Sequence, residues 1–320
     1  MSFTKDAKLQ VLNKVLENDC CNIAFLSGIF RASGQLTITD GKPNFSVITD
    51  IEQLYLVINN YVKKLYGDYA EIEMTDDHKI NKTVYYKITF SESILFNLLK
   101  DTGLIIFDEK NNLIQRQDVD ENILKEDCCK RAFIKGVFIG SATSSIKLAD
   151  TSRQSGGYHF EFASHDYELL SFTSLLLAEY EILGKLIKRR NLYVVYIKES
   201  EQICDLLALV EAVDSVIELN NEIAQRDLRN KVNRQTNCLN GNIGKMVNAS
   251  LRQTKAITLI NDLVGLEALP LDLQVIALLR LANPEESLDE LIRIGGLTLT
   301  KSGLNHRLKK LEKIAEELGK

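Results

Sequence analysis

Helical spacing and extended segments alternate along this chain in an order that is written twice. Residues 4 to 17 place Leu9, Leu12, Val15 and Leu16 on one side and predict a short amphipathic helix. An apolar helix over 20 to 33 follows, then extended segments at 35 to 39 and 44 to 49 around the turn signal Asp40-Gly41-Lys42-Pro43. Apolar residues at 51, 54, 55, 58, 62 and 65 have helix spacing. Strands are expected at 69 to 75 and 83 to 90 around the polar turn 76 to 82, and Ser91 opens a closing helix. After a polar connector at 108 to 126 the order returns. It comprises a helix at 128 to 141, strands near 144 to 149 and 157 to 163, a helix at 166 to 181, strands at 185 to 190 and 192 to 198, and a helix from Ser200. Each unit reads helix, strand, strand, helix, strand, strand, helix.

The repetition extends to residues. CCNIAFLSGIFRAS at Cys20 to Ser33 returns as CCKRAFIKGVFIGS at Cys128 to Ser141, with seven of fourteen positions identical at an offset of 108. Both copies carry small residues every fourth position: Ala24, Gly28, Ala32 and Ala132, Gly136, Gly140. On a helix such a row lies along one face, where missing side chains let a second backbone approach closely. A glycine inside a helix costs about 1 kcal/mol against alanine, so two copies keeping it at one place imply a packing reason. The two helices are expected to cross through these faces and form the axis of a pseudo-two-fold domain.

The last third has a different pattern. An acidic helix is expected from Glu199 to Glu222, then an asparagine-rich, basic stretch, then a helical tail. Residues 271 to 282 form one helix stopped by Asn283-Pro284, and a second opens at Ser287-Leu288-Asp289-Glu290 with capping-box spacing. Gly295-Gly296 make a turn, and a third helix starts around Thr300 to Ser302 and runs to Leu318. The fold class expected is α+β, a repeat domain followed by an all-α domain. Its parts are a first repeat at 1 to 110, a connector and second repeat at 111 to 213, a basic linker at 214 to 256 and a terminal domain at 257 to 320.

Composition adds little, charge much more. With 45% apolar and 26% charged residues over 320 positions, the chain reads as a soluble protein of two or three domains. No apolar run approaches the roughly 20 residues that cross a bilayer, and the N-terminus has no signal-peptide core, so a cytoplasmic protein without a membrane partner is expected. The net charge of −5 is uneven: residues 225 to 255 hold seven Lys/Arg against one acid, and residues 297 to 310 hold four and none. The other 275 residues therefore carry −15, and a polyanion would dock on the last third. The six cysteines are Cys20-Cys21, Cys128-Cys129, Cys204 and Cys238. Neighbouring cysteines bridge poorly and no CxxC pairs are present, so buried reduced thiols, no metal and no cofactor are expected.

The third terminal helix has Leu304, Leu308, Leu311, Ala315 and Leu318 as its buried face. Lys301, Ser302, Asn305, His306, Arg307, Lys309 and Lys310 are expected on its outer face and first turns. A capped helix, a glycine turn and a longer helix with a basic, amide-bearing front is the helix-turn-helix arrangement, whose second helix enters the major groove. Arginine and asparagine can read guanine and adenine edges, while lysines grip phosphate. Arg226, Arg229, Asn230 and Arg234 fall at spacings of three and four, a face that could grip phosphate or act as a hinge against a neighbouring domain.

The repeat helices resemble the LAGLIDADG motif of homing endonucleases, in which two such helices pack at a pseudo-two-fold axis and αββαββα units form a DNA saddle. The positions of the metal-binding acids in that family are Ser33 and Ser141 in this chain. Neutral hydroxyls are poor ligands for Mg²⁺, so cleavage has no obvious site and no catalytic residue is assigned. A LAGLIDADG-like pair without acids, joined to a helix-turn-helix, resembles the WhiA family of bacterial regulators. The resemblance is most specific at KESEQI (198 to 203), RNKVNRQTNC (229 to 238), NASLRQ (248 to 253) and TKSGLNHRLKKLEKIAEEL (300 to 318). It departs at Ile139-Gly140-Ser141-Ala142, where many relatives have Ala-Gly-Gly-Ser. The resemblance implies a nucleoid-associated protein that binds double-stranded DNA, tied to cell division, chromosome segregation and, in some lineages, sporulation, acting as a transcription factor in at least some. Two other readings are weighed beside it. One is a metal-dependent nuclease using acids outside the expected positions, such as Asp40 or Asp150; the other is a scaffold binding a protein partner on an acidic surface of Glu71, Glu73, Asp76 and Asp77.

Overall fold

The computed structural model describes residues 2–76, 84–146 and 157–319. The chain divides into two compact units, Met1–Gln225 and Arg226–Lys320.

The first unit is built twice from one plan. Helix α1 (Phe3–Leu12) precedes α2 (Asp19–Ser33), β1 (Gly34–Thr39), β2 (Lys42–Thr49), α3 (Glu52–Tyr66), β3 (Ala70–Asp76), β4 (Val84–Phe90) and α4 (Glu92–Asp101). A short hairpin, β5 (Ile105–Phe107) with β6 (Leu113–Gln115), and a 3₁₀ turn over Glu121–Leu124 lead to the second copy. That copy is α5 (Asp127–Ser141), β7 (Ala142–Ser144), β8 (Phe160–Ser164), α6 (Tyr167–Ala178), β9 (Lys185–Arg189), β10 (Leu192–Ile197) and α7 (Ser200–Leu209). The antiparallel sheets have the same strand order, β1-β2-β4-β3 and β7-β8-β10-β9. One face of each sheet packs on the helices through Phe45, Val47, Ile88 and Phe90 in the first and Phe160, Phe162, Val195 and Ile197 in the second.

The two copies meet along α2 and α5. A Cβ on Gly28 would fall on Phe133 O and 2.9 Å from Val137 N; one on Gly136 would fall on Phe25 O and 2.9 Å from Ile29 N. Farther along, a Cβ on Gly140 would lie 3.3 Å from Ser33 Oγ. Ala24 and Ala132 are buried on the same faces, and Ala32 packs against the core edge. The helices run side by side in the same direction, with backbone against backbone at the glycines.

Several elements differ from the sequence expectation. Helix α1 stops at Leu12 instead of 17, because Leu16 N donates to Tyr61 Oη at 3.1 Å rather than continuing the helix, and Val15 is left 80% exposed. The connector at 108 to 126 is not wholly irregular: it holds β6, which pairs with β5 just before it, and the 3₁₀ turn. The acidic helix expected at 199 to 222 is broken by Glu211, whose φ of 65° ends α7 while Ala212 N donates to Leu207 O at 2.8 Å. Glu211 also pairs with the buried Lys135 of α5 at 2.9 Å. Helix α8 then runs unbroken over Val213–Val264, so the expected linker at 214 to 256 is a continuous helix. Only Cys21 and Cys129 are buried; Cys20 and Cys128 are exposed, against the expectation of buried thiols. Burial pushes the Cys21 thiol up to about 12 and moves Cys129 in the same direction. The polar turn at 77 to 82, Asp77, Asp150 and the Ser/Gly-rich turn up to 156 lie outside the described residues.

Candidate nucleic-acid interface

The second unit packs the end of α8 against α9 (Leu271–Ala282), α10 (Leu288–Ile294) and α11 (Lys301–Leu318). Its core joins Ile257 and Ile260 of α8 to Leu273, Ile276 and Ala277 of α9, Leu291 of α10 and Leu304, Leu308, Leu311 and Ala315 of α11. Leu318 stays 38% exposed, beyond the core expected of it.

The link between α9 and α10 is held by a residue that helical spacing concealed. Arg280 is 2% exposed, and its Nη1 donates to Glu286 O at 2.8 Å and reaches Asn283 O at 3.5 Å. Burial pulls its guanidinium below the ordinary arginine value. Read as one polar position on an amphipathic helix, it gave no signal in the sequence beyond interrupting an apolar run.

Ser287 Oγ accepts from Glu290 N at 3.2 Å, which is the forward half of a capping box. The return half is replaced: the Glu290 carboxylate accepts from Arg293 Nε at 3.0 Å. The turn is a Schellman closure, with Leu297 N donating to Ile292 O at 3.0 Å and Gly296 at φ 56°, a conformation suited to glycine. Thr300 Oγ1 then caps α11 by accepting from Gly303 N at 3.1 Å.

Helix α11 presents two kinds of polar residue. Ser302, His306, Lys309 and Lys310 are exposed, and Ser302, His306 and Lys309 follow one another at spacings of four and three, along one face. Among the described residues Lys309 and Lys310 form no ion pair. Lys301 is exposed but paired with Asp289 of α10. Arg307 and Asn305 are not on the open face expected of them: both are half-buried, and Arg307 Nε sits 3.3 Å from Asp272 Oδ2 at the start of α9. The register of the leucines causes this, since residue 307 flanks Leu304, Leu308 and Leu311 on the side that α9 covers.

On α8, Arg229, Asn230 and Arg234 are exposed and Arg226 is half-buried. In the first unit, Ser33 Oγ donates to Ile29 O at 3.1 Å and Ser141 Oγ to Val137 O at 2.8 Å. The positions where acids would hold a cation thus carry hydroxyls turned back on their own helices. Arg31, two residues earlier on α2, is another residue the sequence did not single out. Its Nη2 donates to Gly103 O at 2.8 Å and Asp118 O at 2.6 Å, tying α2 to the connector.

Comparison with known proteins follows the same division. Three family models match: the WhiA N-terminal LAGLIDADG-like domain over residues 19–105, the WhiA LAGLIDADG-like domain over 130–229 and the WhiA C-terminal HTH domain over 232–315. The chain is 37% identical over 319 residues to the probable cell division protein WhiA of Clostridium botulinum, covering 99% of each. It is 36% identical over 322 residues to the protein so named in Clostridium acetobutylicum, covering 100% of this chain and 99% of the relative. The crystal structure of full-length DUF199/WhiA from Thermotoga maritima is similar over 100% of both chains, with 25% identity and a TM-score of 0.56. In its doubled, acid-free repeat unit, its terminal helix-turn-helix and its full-length relatives, the chain belongs to the WhiA family.

Proposed function

We propose that this protein is a non-catalytic, DNA-binding regulator that acts in cell division and chromosome segregation, with α11 as the helix that meets double-stranded DNA. The observation that carries this is the face of α11 formed by Ser302, His306 and Lys309 with Lys310 beside it: exposed, cationic and, among the described residues, with neither lysine in an ion pair. Other basic residues of this unit are engaged, Arg293 with Glu290 on α10 and Lys313 with Glu317 farther along α11, whereas Lys309 and Lys310 are left to meet an outside anion. The link to division comes from the names of the relatives, probable cell division proteins. Control of transcription and association with the nucleoid follow from sequence-selective binding, and they stand or fall with it.

The repeat unit serves as a platform in this reading. Phosphodiester cleavage with two metals needs carboxylates at the ends of the paired helices, which here end in Ser33 and Ser141. Asp40, the remaining acid considered for such a role, is exposed in the β1–β2 turn. Glu71 and Glu73 are exposed on β3, an edge strand, and would repel phosphate, which favours a protein partner on that side.

The test is retention of fragments of the host genome by the full-length protein. A reproducible subset should be retained, and His306→Ala combined with Lys309→Ala should abolish the selection. Equal retention of all fragments by both proteins would place DNA recognition elsewhere or remove it.

A further inference from the structure

Four thiols converge at the N-terminal end of the paired helices. Cys20 and Cys21 of α2 and Cys128 and Cys129 of α5 bring their Sγ atoms within 4.8 Å of one another, two of them buried and two exposed. Neither helix is capped there by a side chain: Asn18 and Glu126 occupy the N-cap positions without a side-chain hydrogen bond. The acids of the first turns are engaged in ion pairs, Asp19 with Lys64 at 2.9 Å and Asp127 with Arg131 at 2.7 Å. Two helix N-termini, each equivalent to about half a positive charge, therefore converge on a cluster of sulfur atoms.

We infer that Cys20, Cys21, Cys128 and Cys129 form a tetrathiolate site for one thiophilic cation, Zn²⁺ by the chemistry of the donors. Four sulfur ligands without carboxylate or imidazole select zinc over magnesium or calcium, which take oxygen. A zinc ion with Zn–S bonds of about 2.3 Å sets its sulfurs about 3.8 Å apart, so the cluster needs to contract by only about 1 Å. Binding replaces four S–H bonds by four Zn–S bonds and releases four protons to solvent. The complex carries two net negative charges, which the helix N-termini offset. A cavity of about 410 Å³ beside the cluster, lined by Cys20, Cys129, Asn122 and Lys125 among others, gives the ion a way in. Because each half of the repeat supplies two ligands, the ion would staple the halves at the end of the axis farthest from Ser33 and Ser141.

The experiment uses full-length protein, reduced and stripped with a chelator, titrated first with Co²⁺ and then with Zn²⁺. One Co²⁺ per chain is expected, with sulfur-to-metal charge transfer and the strong visible bands of a tetrahedral thiolate site, displaced by one Zn²⁺. Cys20→Ser with Cys128→Ser changes only exposed positions, so the fold should persist by far-UV circular dichroism. The pair should lower zinc affinity by at least about a hundredfold and abolish the charge transfer. Cys204→Ser with Cys238→Ser should leave both unchanged. Zinc should raise the thermal midpoint of the parent protein and not that of the Cys20/Cys128 variant. The proposal is overturned by absent charge transfer, by charge transfer that survives in the Cys20/Cys128 variant, or by thiols that pair as disulfides in the reduced, metal-supplied protein.

Discussion

At the scale of single residues, one substitution has opposite consequences at two glycines. Gly28→Ala adds a carbon where Phe133 O already lies, and a backbone carbonyl cannot swing aside as a side chain end can. The paired helices would have to separate, at a cost of about 3 kcal/mol or more in denaturant unfolding of the chain. Gly244, by contrast, lies in α8 with nothing within 4 Å of an added Cβ, so Gly244→Ala should stabilise that helix by up to about 1 kcal/mol. The sign of the first effect could be read from the repeated four-residue spacing; that of the second needed the surroundings. Cysteines show the limit of such reading. Each pair alone suggests little, because adjacent cysteines bridge poorly, and the cluster exists only because the axis brings two pairs together. A titration adds a third expectation. Burial lowers Lys8 to about 8, against Asp50, which raises it, while Lys5 lowers it further. Between that value and its unfolded value of 10.5 the unfolded chain binds more protons, so stability contributed by this site rises with pH across that window. Below about 8 the cost of burying the ammonium is fully present. Lys8→Met should therefore stabilise the protein by about 1 kcal/mol at neutral pH and lose that advantage above the unfolded value, as read by denaturant midpoints at the two pH values.

At the scale of elements, helices and strands that carry a core face were legible, and elements defined by a turn were not. The strands β3, β4, β9 and β10 fall within a residue or two of expectation; β4 and β10 give buried faces to the core, while β9 adds only the partly buried Leu186. The β5–β6 hairpin was missed because three-residue strands are too short to show a period. The break at Glu211 was missed because a left-handed glutamate has no compositional sign. Helix α8 poses the opposite case: toward its ends Leu219, Ile257 and Ile260 are buried, yet residues 227 to 248 are exposed throughout, with Leu228, Leu239 and Ile243 among them more than half exposed. Helices are sustained in proteins largely by tertiary packing of one face, and this stretch has two glycines and several asparagines, which propagate helix poorly. Backbone amides of residues 228 to 247 should exchange with deuterium at least about tenfold faster than those of 254 to 262, which pack through Ile257 and Ile260. Gly241→Ala with Gly244→Ala should slow that exchange; equal protection along the whole helix would show that the exposed stretch is held by something other than its own hydrogen bonds.

At the scale of the whole molecule, charge divides the work more sharply than fold does. Residues 225 to 255 and 297 to 310 are strongly positive while the remainder is strongly negative, so the chain as a whole is acidic and still presents cationic helices. Two of these helices, α8 and α11, could meet a polyanion, and the dependence of DNA affinity on salt separates them. Each phosphate neutralised releases counterions and contributes about 0.9 to the slope of log affinity against log salt. If α11 lies on DNA, Lys309→Gln with Lys310→Gln should reduce that slope by about two, and it should do so alike on selected and unselected sequences, because lysines on phosphate carry no sequence information. Arg234→Gln with Lys245→Gln removes the same charge from the exposed part of α8. An unchanged slope in that second variant would confine the contact to the terminal helices. An equal fall in both would mean that the long helix lies along the duplex as well, and that the footprint exceeds what a single recognition helix can cover.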